Sequence, residues 1–244
     1  MVFIYSVEGN IGSGKSTLIR ELEKVLTSIS YQCENESNGS TGGTITKTPI
    51  VYLQEPVNEW SKITDKNGES ILSKFYKDQE KYSFSFQMMA YISRIAALRE
   101  AIRENPESII ICERSVNTDY NVFAKMLYDD GKIEEVNYTI YKKWFDEFTR
   151  DIPITSTIYL KVSPENSHKR VTERNREGES IPLEYLINCN NYHDKWLAPG
   201  KETSDSNLII DGNVDIHQSP EIINDWVKII NTYVTNTSKP NFVP

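Results

Sequence analysis

The sequence predicts an α/β fold in which a five-stranded parallel β-sheet carries helices on both faces. Five apolar, β-branched segments alternate with stretches of helical spacing along the 244 residues. Continuous apolar runs such as residues 108–112 are typical of strands that are buried on both faces. Alternation of such strands with helices indicates a parallel sheet. The predicted strands are 2–7, 50–54, 108–112, 156–162 and 207–211.

The turn after the first strand has the spacing of a phosphate-binding loop. Residues 9–16 read GNIGSGKS, which matches the pattern G-x-x-x-x-G-K-[ST], and a predicted helix follows at 17–26. In this context backbone N–H groups and the helix N-terminus hold phosphate oxygens, whereas a chance glycine turn would lack the flanks. Lys15 is expected to reach the β- and γ-phosphates of ATP, and Ser16 to offer its hydroxyl to Mg²⁺. The predicted ATP-binding residues here are Gly9, Asn10, Ile11, Gly12, Ser13, Gly14, Lys15, Ser16 and Thr17.

Composition narrows the classes of partner. The net charge of −8 argues against a nucleic-acid partner, which requires a basic face, but allows a small anionic ligand. Cys33, Cys112 and Cys189 lack CxxC spacing, so they predict a reducing compartment, with Cys112 as a buried thiol, rather than a disulfide or zinc framework. The first strand starts near residue 2 and no apolar run approaches roughly 18 residues, so we expect a cytoplasmic protein with no leader and no membrane partner.

Two segments are expected to lie outside the core of a single domain that spans residues 1–244. Residues 34–48 are polar and rich in Gly, Ser and Thr, which indicates a flexible surface loop. Composition favours an inert insertion over a functional lid. The tail at 236–244 is expected to fray.

Charged side chains follow the second and third predicted strands, where ligands of parallel sheets bind. Glu55 stands before Pro56, in a position to take a proton from an attacking hydroxyl, and a surface glutamate at a strand end is an equal alternative. Glu113 and Arg114 follow three isoleucines, so we expect Glu113 to hold Mg²⁺ and Arg114 to neutralise a transferring phosphoryl group. The alternative is an ion pair at a helix start with Ser115 as N-cap.

One predicted helix, at 80–104, presents groups that suit a nucleobase. Gln87, Ala90 and Arg94 lie at i, i+3 and i+7 and so share a face. The Gln87 amide offers a donor and an acceptor side by side, as a base edge demands. In the next helix a carboxylate and a ring share a face, from Asp119 and Phe123. Each of these residues by itself is better explained as structural, and they gain weight only together.

An arginine-rich segment at 168–181 is the last candidate. Arg170, Arg174 and Arg176 lie at i, i+4 and i+6. Guanidinium forks suit bidentate binding of phosphate. For this segment alone, a solvated helix face with i,i+4 ion pairs is the favoured explanation.

In this order and spacing the motifs resemble the cellular deoxynucleoside kinase family, which contains deoxycytidine, deoxyguanosine and mitochondrial thymidine kinases and the insect multisubstrate enzyme. The match spans roughly residues 2–216 and is carried by GNIGSGKST (9–17), EPV (55–57), SFSFQ (83–87), SR (93–94), ERSV (113–116) and IPLEYL (181–186). The resemblance implies a P-loop kinase fold. It also implies that ATP, with Mg²⁺, phosphorylates the 5′-hydroxyl of a 2′-deoxynucleoside in nucleotide salvage.

The resemblance further implies a role for each matching position. Glu55 resembles the general base, with Arg114 beside it, and Gln87 resembles the reader of the base edge. The other implied contacts are Trp60 and Phe123 to the faces of the base, Tyr76 and Glu179 or Glu177 to the sugar 3′-hydroxyl, Arg170, Arg174 and Arg176 to the ATP phosphates and adenine, and Asp215 and Ile216 to the ATP base. The segment between Arg176 and Ile181 is one residue shorter than the common form, and its distance from Ile181 favours Glu179.

Selectivity is expected to depend on a polar wall beside the base. Ala90, Arg94 and Asp119 match the deoxycytidine/deoxyguanosine kinase branch, and an Arg–Asp pair suits an exocyclic amine or a purine edge but crowds a 5-methyl group. We therefore expect deoxycytidine and deoxypurines to be favoured over thymidine. The resemblance also implies a homodimer formed through a helix bundle, and inhibition by an end-product triphosphate.

Two other functions are the rivals. A nucleoside monophosphate kinase would need a cationic site for the phosphate of its acceptor. A P-loop switch or binding protein that reads guanine would carry an Asn-Lys-x-Asp segment, which the sequence lacks.

Overall fold

The computed structural model describes residues 2–33, 44–176, 179–197, 207–214, 216 and 219–238. Its strands are β1 (Phe3–Glu8), β2 (Ser28–Cys33), β3 (Thr44–Leu53), β4 (Ile109–Glu113), β5 (Ser156–Lys161) and β6 (Leu208–Asp211). They form a six-stranded sheet in the order β2-β3-β4-β1-β5-β6. Every neighbouring pair is parallel except β2 and β3, which are antiparallel.

The prediction of a parallel sheet is confirmed, but the predicted number of five strands is wrong. The additional strand is β2, which pairs with β3 from Ser28 opposite Pro49 to Cys33 opposite Thr44. This hairpin lies at the edge of the sheet, and its segments SISYQC and TITKT mix polar and apolar residues, so no continuous apolar run marks them. Residues 44–48, predicted as loop, therefore begin β3, while 34–43 lie outside the described residues.

Helices connect the parallel strands. Their bounds are α1 Lys15–Val25, α2 Val57–Trp60, α3 Ile71–Lys77, α4 Gln79–Glu104, α5 Val116–Thr118, α6 Lys125–Asp129, α7 Glu135–Thr149, α8 Pro164–Arg174, α9 Leu183–Leu197 and α10 Glu221–Thr237, with a π-helical segment, Asp119–Ala124, between α5 and α6. The long helix predicted at 80–104 is confirmed as α4. The tail was predicted to fray from residue 236, but α10 continues through Thr237, and 239–244 lie outside the described residues.

Two apolar layers cover the central strands. On one face Ile110 and Cys112 pack among buried residues of α4. On the other face Ile109 and Ile111 pack with α1 and α10. Alternate side chains of one strand thus enter opposite layers, as the pleat of a strand requires, and full burial of each such isoleucine contributes roughly 1.5–3 kcal/mol.

The register of the three central strands brings the candidate residues to one edge. Val7 pairs with Glu113, and Leu53 pairs with Cys112. The carboxyl ends of β1, β3 and β4 therefore lie side by side, with the glycine loop, Glu55 and Arg114 directly beyond them. This is the edge at which parallel α/β sheets bind ligands.

Two further expectations bear on the chain as a whole. Cys112 is a free, buried thiol, as predicted, and Cys189 is also free and buried. Among the described helices, none combines the length and the apolar character that crossing a membrane requires.

Candidate active site

A cavity of about 750 Å³ opens at the carboxyl edge of the sheet. Its walls come from the glycine loop, the residues after β3 and β4, and helices α4, α8 and α9. The predicted site residues that line it are Ile11, Gly12, Ser13, Gly14, Lys15, Ser16, Thr17, Glu55, Trp60, Tyr76, Gln87, Ala90, Arg94, Glu113, Arg114, Asp119, Phe123, Arg170, Arg174, Arg176, Glu179 and Ile216. Tertiary folding thus brings together groups that are up to 205 positions apart in the chain.

The backbone of the glycine loop excludes side chains, through lack of space at Gly9 and Gly12 and through a left-handed conformation at Gly12 and Gly14. At Gly9, which does not line the cavity, a Cβ would lie 2.5 Å from the carbonyl oxygen of Leu160. Gly12 has φ of 79°, and a Cβ there would lie 2.5 Å from the carbonyl oxygen of Ser167. Gly14 has φ of 98° and is the N-cap of α1. Glycine alone adopts such angles without strain. The loop can therefore close around an anion, with the N-terminus of α1 directed at it.

Lys15 lies within this loop and is only 4% exposed. Its Nζ donates to the Asn10 carbonyl oxygen at 2.8 Å and to Ser13 Oγ at 3.4 Å. Burial, followed by the positive charge of Arg114, lowers the Lys15 pKa to about 7. Asn10 does not line the cavity but ties the loop to α9, because its Nδ2 donates to the Leu186 carbonyl oxygen at 2.8 Å.

Ser16 and Glu113 provide a pair of oxygen ligands beside the loop. Ser16 Oγ donates to Glu113 Oε1 at 2.7 Å, so a hydroxyl and a carboxylate stand side by side. Mg²⁺ prefers such hard oxygen ligands and commonly takes only one or two of them from the protein, with phosphates and water completing its shell. The donor set fits that ion, although no group of three or more His, Cys, Asp or Glu residues gathers in the described part of the chain.

Glu55 lies between two arginines. Arg94 Nη2 donates to Glu55 Oε1, and Arg114 Nε lies 3.5 Å from the same oxygen. Burial by itself raises the pKa of Glu55, but the charges of Arg94, Arg114 and Lys15 outweigh it and hold that pKa below its ordinary value. The carboxyl is therefore ionised at neutral pH and able to accept a proton.

Arg94 bridges two carboxylates instead of forming one pair. Its Nη1 donates to Asp119, which is 1% exposed, while its Nη2 donates to Glu55. Burial outweighs the attraction of Arg94 and raises the Asp119 pKa to about 6. Within the described residues, Asp119 Oδ2 and Arg94 Nε have no hydrogen-bond partner. Buried polar atoms are nearly always paired, so these two are suited to a polar ligand.

One part of the cavity is lined by Gln87 together with Trp60, Ala90 and Phe123. The Gln87 side chain is buried, and its Oε1 has no partner within the described residues. Ala90, on the next turn of α4, leaves space beside it. Trp60 is held in place by its Nε1, which donates to Ser93 Oγ at 2.9 Å. Phe123 lies 4.9 Å from the Arg114 guanidinium, measured from ring centroid to Cζ.

The arginine-rich segment contacts the glycine loop through Arg170. Arg170 Nη1 donates to the Ser13 carbonyl oxygen at 3.2 Å, so the explanation as a solvated helix face is wrong for this residue. Arg174 and Arg176 both pair with Glu179, whose side chain is 4% exposed. Arg176 lies beyond the helix, because α8 ends at Arg174 and Asn175 takes the left-handed conformation.

The remaining predicted contacts are those to the sugar and to the ATP base. Glu179 lines the cavity, and Glu177 lies outside the described residues, so the choice between them stays a prediction. Ile216 lines the cavity, and Asp215 lies outside the described residues. Tyr76 lies in the wall near Glu179, and burial, reinforced by the charge of Glu179, raises its pKa.

Comparison with known proteins now adds to this geometry. A family model described as deoxynucleoside kinase matches residues 5–235. The chain belongs to the deoxynucleoside kinase family. A probable deoxycytidine kinase of fowlpox virus (strain NVSL) is 34% identical over 201 residues, which cover 81% of this chain and 72% of that protein. The deoxycytidine kinase of Homo sapiens is 32% identical over 206 residues, covering 79% and 74%. Mitochondrial thymidine kinase 2 of Homo sapiens is 31% identical over 200 residues, covering 81% and 65%.

Sequence reasoning missed two residues in this deoxynucleoside kinase. Glu8 stands directly before the glycine loop, is fully buried and accepts hydrogen bonds from Ser115, which therefore does not cap α5 with its side chain. Tyr185 also lines the cavity. A carboxylate at the end of a buried strand was the signal that could have drawn attention to Glu8, but the glycine pattern begins one residue later.

Proposed function

We propose that this deoxynucleoside kinase transfers the γ-phosphoryl group of ATP to the 5′-hydroxyl of a 2′-deoxynucleoside, with Mg²⁺ as cofactor, in nucleotide salvage. One observation carries the proposal. A phosphate cradle, the carboxylate of Glu55 and the buried amide of Gln87 face the same cavity. A phosphate donor, a proton acceptor and a reader of a base edge are the parts that this reaction requires.

The proposed mechanism depends on alignment and charge. Gln87, Trp60 and Phe123 hold the base, which directs the 5′-hydroxyl toward Glu55. Glu55, kept ionised by its arginines, accepts the hydroxyl proton as the new O–P bond forms. The arginines then need another anionic partner, and the transferring phosphoryl group supplies it.

Lys15, Arg114, Arg170 and Arg174 hold the phosphate oxygens in this proposal. Arg114 Nη1 is buried and has no partner within the described residues, so it is open to such a contact. Ser16 and Glu113 would hold Mg²⁺, which when bound supplies further neutralisation of the β- and γ-phosphates. The segment that carries Arg174 and Arg176 closes the cavity and limits transfer to water.

Selectivity follows from the wall built by Arg94 and Asp119. The free Oδ2 of Asp119 accepts from an exocyclic amine, which cytosine and adenine have and thymine lacks. We infer that deoxycytidine and deoxypurines are phosphorylated faster than thymidine. The nucleoside monophosphate kinase alternative is weaker, because the charge of Arg94 is already shared by two carboxylates and is not free for an acceptor phosphate.

The experiment that tests this function is phosphoryl transfer from labelled ATP to a panel of deoxynucleosides and nucleoside monophosphates. We expect labelled 5′-monophosphates from the deoxynucleosides, and turnover at least ~100-fold lower for Glu55→Gln, which is the low end for removal of a general base. Unfolding of Glu55→Gln monitored by circular dichroism is the control for its fold. Labelling of monophosphates alone, or ATP hydrolysis without any acceptor, would overturn the proposal.

We also propose a homodimer that uses an apolar stripe on α7. Val136, Ile140, Trp144 and Phe148 recur every four residues and are 69%, 40%, 45% and 37% exposed. Apolar surface of this kind marks an interface, and α7 packs against α4 through Tyr91. Sedimentation of Trp144→Glu is expected to show a monomer where the wild type is a dimer, whereas Ile229→Glu, on the distant α10, should stay dimeric. A dimeric Trp144→Glu would exclude this interface.

A reducing, cytoplasmic location is a further proposal, supported by the free thiols Cys112 and Cys189. Fluorescence microscopy of the tagged chain tests it, and accumulation in another compartment would contradict it.

A further inference from the structure

Glu8 is a buried carboxylate for which the proposed mechanism has no use. It ends β1 and is 0% exposed. Its Oε1 accepts from Ser115 N at 2.9 Å and from Ser115 Oγ at 2.8 Å, and its Oε2 accepts from Thr118 Oγ1. These three donors are all neutral. A carboxylate removed from water at a considerable desolvation cost needs a compensating set of donors, and here the donors come from the turn after β4.

In this turn Arg114 has a left-handed backbone, which is uncommon for a residue other than glycine. Arg114 has φ of 62°. For a residue with a Cβ that conformation costs roughly 1–2 kcal/mol, so surrounding structure has to impose it. The Arg114 N–H donates to the Val7 carbonyl oxygen at 3.0 Å, and the next N–H, that of Ser115, donates to Glu8. Two consecutive residues of β1 thus hold both peptide groups that flank Arg114.

The backbone conformation decides where the guanidinium of Arg114 lies. The side chain is 3% exposed, its Nε is 3.5 Å from Glu55 Oε1, and its Cζ lies 4.9 Å from the centroid of Phe123. A return of Arg114 to the right-handed or extended region would change the direction of the Cα–Cβ bond. The guanidinium would then leave the position between Glu55 and the phosphate cradle.

We propose that Glu8 is a positioning residue for phosphoryl transfer, which acts by holding the left-handed turn at Arg114. The inference rests on the proposed function, since it assigns Glu8 to the same reaction. It goes further by placing a buried side chain outside the cavity among the determinants of turnover. A misplacement of about 1 Å in a group that stabilises charge can lower a rate by roughly 100-fold.

Two competing explanations make different predictions. Glu8 could act only through its negative charge, which helps keep Lys15 protonated. In that case replacement of Glu8 would weaken ATP binding, and ATP affinity would fall by the same factor in a protein that lacks Arg114. Alternatively Glu8 could serve only global stability, and then kcat of the folded fraction would be unchanged.

The test compares Glu8→Gln and Thr118→Val with a matched control, Thr118→Ser, which keeps the hydroxyl that donates to Glu8. Steady-state kinetics should show kcat lowered roughly 10- to 100-fold for the first two variants. The KM values for ATP and deoxynucleoside should change less than about threefold, since Arg114 is proposed to act mainly on the transferring phosphoryl group and the other contacts to both substrates are unchanged. Thr118→Ser should behave as wild type. If Glu8→Gln does not fold, Ser115→Ala removes a donor from the same carboxylate and takes its place.

A double-mutant cycle with Arg114→Ala decides how Glu8 acts. If Glu8 works through Arg114, Glu8→Gln causes no further loss of kcat in the Arg114→Ala background. The proposal is overturned if the reductions in kcat caused by Glu8→Gln and Arg114→Ala multiply in the double variant. It is also overturned if the kcat of Glu8→Gln lies within about twofold of wild type.

Crystal structures provide a readout that does not depend on activity. In Glu8→Gln the Arg114 guanidinium should move away from Glu55, whereas in Thr118→Ser it should stay. An unmoved Arg114 in Glu8→Gln refutes the positioning role. If the wild type phosphorylates no deoxynucleoside, the proposed function fails, and the crystal structures still decide what Glu8 holds.

Discussion

Replacement of Lys15 by methionine should stabilise the ligand-free protein while abolishing its activity. Lys15 is 4% exposed in the absence of phosphate, and burial, together with the charge of Arg114, lowers its pKa from 10.5 to about 7. This difference corresponds to about 5 kcal/mol of cost to folding when Lys15 is protonated, at about 1.4 kcal/mol for each pKa unit. The lost hydrogen bonds from Nζ to Asn10 and Ser13 offset about 2 kcal/mol of the gain. The expected net stabilisation at pH 6 is therefore about 3 kcal/mol.

The sign of the pH dependence follows from proton binding. Between pH 7 and 10.5 the unfolded chain keeps a proton on Lys15 that the folded protein has released, so the stability of the wild type rises with pH in this window. Below pH 7 both states hold the proton and the whole cost of burying the charge is present. The advantage of Lys15→Met should therefore be complete at pH 6 and should shrink as the pH approaches 10.

Urea unfolding of the ligand-free protein, followed by tryptophan fluorescence at pH 6 and pH 9.5, measures both quantities. Lys24→Met is the matched control, because Lys24 lies on the same helix but its side chain is 65% exposed. We expect Lys24→Met to change the free energy of unfolding by less than about 0.5 kcal/mol at either pH. The reasoning would be refuted if Lys15→Met were no more stable than wild type at pH 6, or if its free energy of unfolding exceeded that of wild type by the same amount at both pH values.

Three more predictions concern the ligands. ATP binding should be accompanied by uptake of a proton near pH 8, because phosphate oxygens favour the charged form of Lys15. Calorimetry in buffers of different ionisation enthalpy should detect this proton. A binding enthalpy that does not depend on the buffer would count against the lowered pKa of Lys15. The pair Arg94→Met and Asp119→Ala should move the ratio of kcat/KM for deoxycytidine and thymidine toward thymidine, and an unchanged ratio would contradict the assigned wall. For deoxycytidine, kcat/KM should fall as pH drops through about 6, where Asp119 gains a proton, and Asp119→Asn should lack this limb. Since the pKa of Glu55 is held below its ordinary value, Glu55 itself should add no acid limb in the pH range where Asp119 titrates. An acid limb that survives there in Asp119→Asn would contradict the lowered pKa of Glu55.

Much of the architecture was encoded in local patterns. Residues 109–112 are apolar because they are buried on both faces, and Gly12 is glycine because its left-handed backbone and the nearby Ser167 carbonyl oxygen leave no room for a side chain. The β2–β3 hairpin was missed because an edge hairpin needs no continuous apolar run. The end of α8 at Arg174 was not predicted, because the left-handed conformation of Asn175 cannot be inferred from residue spacing.

By itself the sequence determined the five parallel strands, the phosphate-binding loop and the candidate residues at the strand ends, because each depends on neighbours within a few positions. Only the tertiary structure decided how the charges are shared. Arg94 donates to both Glu55 and Asp119, and the N–H of Ser115, next to Arg114, donates to Glu8. These contacts join residues 25 to 107 positions apart. Their geometry depends on the register of packed elements, and the local spacing of residue types carries no information about it.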